Sequence, residues 1–489
     1  MSKNKNNKPV WSTRINQKAA STFQKVGSSL NVDKRLFRED ITASIAHVEM
    51  LEKQKIITVA VKNKIIWGLK KILNEIIKKK FSFDERNEDI HMSIEKRLFE
   101  ILGEDAGFIH TARSRNDQVL TDLKIWLRKS TYEIIDDLNK TMKIFLKCAE
   151  KNIHTIMPGL THLKNAQPIS FGHYLVAYIE MFLRDKKRFK NNLENLYENP
   201  LGVAAFSGTS FNIDRFYTTK KLKFNKPTGN SIDTVSDRDF VCDFLYSVSL
   251  CSIHISRFSE EFIIWNSDAF NMISLNDKIV TGSSIMPQKR NPDPLEYLRG
   301  KSGSVIGNLL SMQTILKGLP LSYFKDLQDD KKLVFDSFDH LKNCLKILRD
   351  VLINFSPNKK RMLEFSEVGH TTATDLADYI VRDLKYPFRK AYSITAKIVN
   401  LAEKKKKRIS EMSLDEIRSI DKKIGTEVLN VIKVNNSVKS KSSYGGTSFD
   451  NVKKMIKKYK KQINDLKNYI NIILLSFNIF LREKRRSRV

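Results

Sequence analysis

Four polar stretches of this chain hold the residues whose types and spacing suit chemistry. HTARSRND (110–117) crowds Arg113, Ser114, Arg115, Asn116 and Asp117 at the expected start of a helix. GLTHLKNAQP (159–168) sets Thr161 and His162 ahead of an amide and a proline. TGSSIMPQKRNPD (281–293) opens on a glycine and two serines and runs through Pro287, Lys289, Arg290, Asn291 and Pro292. YFKDLQDDK (323–331) carries Tyr323, Gln328 and Lys331. Each offers guanidinium, ammonium, hydroxyl or amide donors, the set that recognises carboxylates. Singly, each has a plainer explanation. Polar loops are common, a Ser-Ser pair suits a helix cap, and His162 is one of nine histidines. The combination, with every stretch beside a long helix, points to carboxylate chemistry.

The elements that must position these groups read as helices. Phe244, Val248, Cys251, Ile255, Phe258 and Phe262 alternate spacings of four and three, the apolar seam of a long helix. Val305, Leu309, Met312 and Leu316 repeat the pattern, and a third seam runs from Phe171 through Ile179 and Phe182 to Phe189. No alternating strand pattern and no repeat of fixed period is visible. The expected fold is all-α: an elongated bundle of long helices over 113–364, with smaller helical domains over 1–112 and 365–489.

Composition sets the frame. The 489 residues are 41% hydrophobic, ample for a large core, and only 18 Gly and 11 Pro punctuate them, which disfavours a turn-rich all-β fold. Cys148, Cys242, Cys251 and Cys344 are scattered without a CxxC pair, which argues against disulfides and a zinc site and fits a reducing compartment. The N-terminus lacks the apolar stretch of a signal peptide. The most apolar run, YINIILLSFNIFL (469–481), is too short to span a bilayer. These features imply a cytoplasmic protein with no membrane partner. The formal net charge of +31 invites a nucleic-acid reading. However, the basic clusters Lys78–Lys80, Lys404–Arg408 and Arg482–Arg488 lie far apart without interleaved aromatics. Solvated lysine-rich faces account for the charge, so no specific nucleic-acid partner is expected.

The four stretches resemble argininosuccinate lyases, a family of the fumarase/aspartase superfamily. GSSIMPQKRNP (282–292) is similar to the superfamily signature. Gln288 within it, HTARSRNDQ, NSIDTVSDRDF (230–240), DLQDDK (326–331) and TATDLADYIV (372–381) resemble the argininosuccinate branch. The resemblance runs from about residue 10 to about residue 455. It implies reversible β-elimination of argininosuccinate to L-arginine and fumarate, the last step of arginine biosynthesis, with no metal or organic cofactor. In such a reaction a base removes the proton beside a carboxylate, and the carbanion spreads into that carboxylate as an aci-carboxylate that preorganised donors stabilise.

By the resemblance Ser283 is the base, and Lys289 and Asn291 hold the growing charge. His162 stands at the departing guanidino nitrogen as proton donor, and Glu296 orients it. Ser114, Arg115, Asn116 and Thr161 hold the succinate carboxylates. Tyr323, Gln328 and Lys331 contact the arginine moiety, and Ser29 makes another substrate contact. The chain departs from the family pattern at WSTRI (11–15), where both usual glycines are missing, and at Phe108, Asn212 and Phe324. A catalytically impaired or structural, crystallin-like member is the alternative.

The resemblance also implies a homotetramer. At about 1.5 Å per residue, a helix of about 30 residues extends about 45 Å, so three polar stretches separated by such helices need not meet on one chain. The family solves this with D2 symmetry: each active site takes one stretch from each of three subunits. The Phe244–Phe262 seam is expected to supply the apolar surface between subunits.

Overall fold

The computed structural model describes residues 20–463. WSTRI (11–15), YINIILLSFNIFL (469–481) and the Arg482–Arg488 cluster lie outside the described residues. The fold is all-α, as expected. Its main helices are α1 (Phe37–Lys53), α2 (Val59–Ile77), α3 (Ile90–Leu102), α4 (Arg115–Lys151), α5 (Phe171–Asn195), α6 (Asp239–Asn266), α7 (Asp293–Leu316), α8 (Asp330–Asn354), α9 (Ala373–Leu384) and α10 (Phe388–Lys404). The chain divides into two compact units. The first comprises the described residues up to Thr131 together with Asn191–Leu245 and Asn308–Asp336; the second comprises Tyr132–Lys190, Tyr246–Gly307 and the described residues from Ser337 onward.

In the first unit, side chains at helical spacing bury one stripe of each short helix. Ile41, Val48 and Leu51 of α1 pack with Ile65, Leu69 and Ile72 of α2 and with Ile90, Ile94 and Leu98 of α3. Two caps fix where these helices begin. Thr58 accepts from the Val61 N–H at 3.3 Å ahead of α2, and Asp89 accepts from the Met92 N–H at 2.7 Å ahead of α3. Each satisfies an otherwise orphaned donor of the first turn.

The second unit is centred on aromatic rings. Phe145 of α4 meets Phe182 of α5 at 5.6 Å and Phe258 of α6 at 5.4 Å, and Phe262 packs edge-on to Phe355 at 5.2 Å. Such edge-to-face and tilted contacts add to the burial of large apolar area. A satellite core under α9 and α10 collects Leu376, Ile380, Ala391, Ile398 and Ile417.

Two expectations are corrected by the structure. The seam Phe244, Val248, Cys251, Ile255, Phe258 and Phe262 is a helix face as read, but all six side chains are at most 1% exposed within the single chain. They are core, and a partner subunit has no access to them. The period of an apolar stripe reports that a face is buried; it does not report by what.

The second correction is a β-hairpin where no strand was expected. β1 (Ile156–Thr161) pairs antiparallel with β2 (Lys164–Ser170). The strand pattern was masked by Pro158, Gly159 and Pro168. Pro158 and Pro168 face each other across the ladder, a pairing in which neither needs an N–H. Gly159 sits at a register shift, and a Cβ there would lie 2.7 Å from the Gln167 carbonyl oxygen, so the strands close only around a glycine.

Among the described residues no helix is long and apolar enough to cross a membrane. Lys78–Lys80 are exposed, and Lys405 and Lys407 both pair with Glu416 at 2.8 Å, as solvated surface charges do.

Candidate active site

The hairpin exists to present its tip. His162 and Leu163 form its two-residue turn, and both have positive φ, 54° and 57°. That is the backbone of the mirror-image turn whose twist matches paired strands, and it normally selects Asn or Gly. A histidine there holds a left-handed conformation that costs a non-glycine residue free energy. Thr161 and His162 are exposed at the tip. Asn165 anchors it, donating its Nδ2 to the carbonyls of Phe365 at 2.8 Å and Val368 at 3.0 Å.

The signature stretch of the second unit is a loop closed by its own two-residue ladder. β3 (Thr281–Gly282) pairs antiparallel with β4 (Arg290–Asn291). Thr281 Oγ1 donates to Asp293 Oδ2 at 2.5 Å, and Arg290 donates to the Leu275 carbonyl at 2.9 Å and pairs with Asp277. These ties hold the stem while 283–289 project. Ser283 Oγ accepts the backbone N–H groups of Met286 at 3.1 Å and Ile285 at 3.3 Å. Two donors aimed at one hydroxyl oxygen favour negative charge on it. Lys289 and Glu296 are exposed, and Asn291 is half-buried. Among the described residues no hydrogen bond or ion pair joins His162, Ser283, Lys289 or Glu296 to one another within the chain.

The first unit gathers the remaining candidates. Ser29 Oγ donates to Asp33 Oδ2 at 2.5 Å, and Gln328 Nε2 donates to the Gly27 carbonyl at 3.2 Å. Lys325 pairs with Glu88 at 2.9 Å. Arg115 Nε lies 3.1 Å from Asp89 Oδ2, and Asn116 Nδ2 donates to the Ala205 carbonyl at 2.9 Å. Burial, and after it Asp330, pushes the Tyr323 hydroxyl up to about 12, with Glu88 and Asp89 acting in the same direction. Burial also raises the Asp33 carboxyl, against the opposing pull of His91, Ser29 and Lys331. Ser29, Arg115, Tyr323 and Lys331 are thus drawn around Asp33, Glu88 and Asp89, with Gln328 held at Gly27, two residues before Ser29. The sequence reading missed these three acids. Their one sequence signal is the N-cap position of Asp89, and Asp33 and Glu88 carry none.

Ser114, Arg115 and Asn116 owe their placement to the residue that follows them. Asp117 is fully buried, and its carboxylate accepts three backbone N–H groups: Ser114 at 3.0 Å, and Gly202 and Ala204 at 2.9 Å each. With Ser114 Oγ accepting from Asn116 N at 3.3 Å, Ser114 and Asp117 together cap the first turn of α4. Burial pushes the Asp117 carboxyl up to about 6, although the three N–H groups and Arg113 pull it down.

The motifs NSIDTVSDRDF and DLQDDK meet in one buried ion cluster. Asp330 lies 2.5 Å from both Arg238 Nε and Lys331 Nζ, and all three residues are at most 2% exposed. Burial alone would raise Asp330; the two cations hold it below the usual carboxylate range instead. A depressed carboxylate contributes stability above its unfolded value, and that stability is lost as pH falls through the folded value. Asp330→Ala strands two buried cations, and chemical denaturation at neutral pH is expected to show a loss of about 3–5 kcal/mol. A loss below about 1 kcal/mol would mean that the pair is solvated in solution.

Among the described residues one group has metal-ligand types close together: Asp40, His91 and Asp122, all buried in the first unit.

Comparison with known proteins first defines the class. A family model described as Lyase matches residues 13–307, and one described as Argininosuccinate lyase C-terminal matches residues 370–439. The chain is 64% identical over 461 residues to the argininosuccinate lyase of Pelagibacter ubique, covering 94% of this chain and 100% of that protein. It is 44% identical over 463 residues to argininosuccinate lyase 1 of Mesorhizobium japonicum, covering 95% and 99%. In structure it is similar to EDDS lyase in complex with formate, with a TM-score of 0.81 at 25% identity over 93% of this chain and 92% of that one. The chain belongs to the argininosuccinate lyase family.

Proposed function

We infer that this chain cleaves argininosuccinate reversibly to L-arginine and fumarate. The single observation that carries the inference is 64% identity over the whole length of an argininosuccinate lyase. We propose Ser283 as the base and His162 as the proton donor at the departing guanidino nitrogen, with Glu296 orienting it. Lys289 and Asn291 receive the charge that grows on the carboxylate. Thr161, Ser114, Arg115 and Asn116 hold the succinate carboxylates. Ser29, Tyr323, Gln328 and Lys331 contact the arginine moiety, whose guanidinium suits the nearby acids Asp33, Glu88 and Asp89.

The proposal includes a D2 homotetramer in which each site combines residues of three subunits. The exposure of His162, Lys289 and Glu296 in the single chain supports it. So does uncovered apolar surface on two helices: Tyr246 on α6 is 52% exposed, and Ile306 and Leu310 on α7 are 42% and 63% exposed. These side chains, rather than the Phe244–Phe262 seam, are the surface for subunit packing. The four free cysteines support a cytoplasmic location.

A direct assay tests the reading. The purified protein is expected to release fumarate from argininosuccinate, with no comparable turnover of malate, aspartate or adenylosuccinate. Preferential cleavage of any of those three overturns the assignment.

A further inference from the structure

Arg113, immediately ahead of the Ser114–Asn116 turn, points away from solvent into a buried polar cluster of the first unit. Its Nη1 donates to Ser44 Oγ of α1 at 2.8 Å, and its Nε has no partner. The residue before it, Ala112, has φ +57°, a conformation that only a well-held turn imposes on alanine. What holds Arg113 therefore helps to hold the turn.

The cluster contains two carboxyls that differ sharply. Asp40 Oδ1 accepts from Gln118 Nε2 at 2.5 Å and lies 2.9 Å from His91 Nδ1. Asp122 is 0% exposed, and no N–H or O–H group donates to either of its oxygens; His91 Nδ1 lies 3.5 Å away, and the Asp40 carboxylate is its other close neighbour. Ligand atoms of Asp40, His91 and Asp122 all lie within 4.8 Å of one another. An ionised carboxylate buried without donors is strongly disfavoured, and two carboxylates sharing one dry site do not both ionise. The one supplied with donors takes the charge.

We propose that Asp122 is a neutral, proton-holding positioning residue that leaves Asp40 as the charged carboxylate facing Arg113 and so fixes the turn of Ser114, Arg115 and Asn116. The claim that this turn binds succinate rests on the function proposed above; the claim about the proton does not. Burial and the neighbouring Asp40 both push the Asp122 carboxyl well up, and Arg113 opposes them. Asp40 is pulled below its usual range, because His91, Arg113 and Gln118 outweigh its burial. The other titratable or charged groups that face the cluster are Glu39 on α1, pushed up to about 7 by burial, Asp117 on α4, and, beside Arg113 and His91, His47 on α1, His110, Arg115 and Asp33. A cation in place of the proton would have to sit beside the Arg113 guanidinium, which argues for the proton.

A carboxyl whose folded value is raised costs stability as pH rises towards that value. Asp122→Asn replaces the protonated acid with a neutral amide of the same shape and removes that cost. With Glu39→Gln as background in both proteins, the melting temperature of Asp122→Asn is expected to gain on its parent as pH rises from about 6 to about 9. At neutral pH its KM for argininosuccinate is expected to stay within about threefold, whereas Asp40→Asn, which removes the charge facing Arg113, raises KM about tenfold or more with a smaller change in kcat. A pH-independent melting difference, or a large KM rise in Asp122→Asn at neutral pH, shows that Asp122 is charged and overturns the proposal. Stabilisation of the parent, but not of Asp122→Asn, by millimolar Mg2+, Mn2+ or Zn2+ overturns it in favour of a bound cation. If Arg115→Ala and Asn116→Ala leave KM unchanged, the substrate reading of the turn fails while the melting series still decides the proton.

Discussion

Ser283→Ala is expected to lower kcat by about a hundredfold or more while leaving argininosuccinate binding near wild type. The effect is placed in kcat because the Ser283 hydroxyl acts on the proton beside the carboxylate, whereas the carboxylates are held by other groups. The local geometry suits a base. The backbone N–H groups of Ile285 and Met286 both point at Oγ, Lys289 is in the same loop, and the β3–β4 ladder pins the loop at its stem. The same two N–H contacts also brace the loop, so alanine has a structural effect to separate from the chemical one. Ser284→Ala supplies the comparison: it alters the same exposed loop but leaves those contacts in place. Steady-state fumarate release, with equilibrium binding of argininosuccinate to the variants, makes the measurement. If Ser283→Ala retains kcat within about threefold of wild type, or only matches the loss in Ser284→Ala, the base is another residue.

The second large effect concerns His162. His162→Asn is expected to abolish turnover without lowering the melting temperature. Residue 162 sits in a left-handed turn at φ 54°, and asparagine is among the side chains that tolerate this conformation best. This separates loss of the imidazole from loss of the hairpin. Mixing the inactive His162→Asn and Ser283→Ala proteins under conditions of subunit exchange then tests the composite site. If the two residues of one site come from different chains, about a quarter of the sites in a random equal mixture regain both wild-type groups, and about a quarter of wild-type activity returns. If they come from one chain, every site keeps one defect and no activity returns. Absence of recovery in demonstrated hybrid tetramers, or an active monomer, overturns the composite architecture.

Much of this was legible in the sequence because the signals are local. The spacing of Phe244 through Phe262 marks a buried helix face, and the structure buries all six. The crowding of Ser114 and Asp117 marks a helix start, and α4 begins at Arg115 with both side chains in its cap. The polar character of 281–293 marks a loop, and a loop stands there between β3 and β4. The residues that resemble the family signature are contiguous, so their identity needs no fold to be read.

Tertiary structure decided what depends on partners distant in the chain. The strands that carry His162 contain Pro158, Gly159 and Pro168, each a weak strand former alone; only their pairing across the ladder makes them compatible with a sheet. The acids Asp33, Glu88 and Asp89 look like ordinary surface charge until the chain brings Arg115, Tyr323, Lys325 and Lys331 to them. The burial of Asp40, His91 and Asp122 together has no sequence signal, because helix periodicity marks apolar faces and these three polar residues lie on three separate helices. The same limit explains the seam. Periodicity records that a face leaves water, but the free energy of burial is indifferent to whether the covering atoms belong to the same chain or to another. Only in the folded chain is the Phe244–Phe262 face covered by the chain itself while Tyr246, Ile306 and Leu310 stay uncovered.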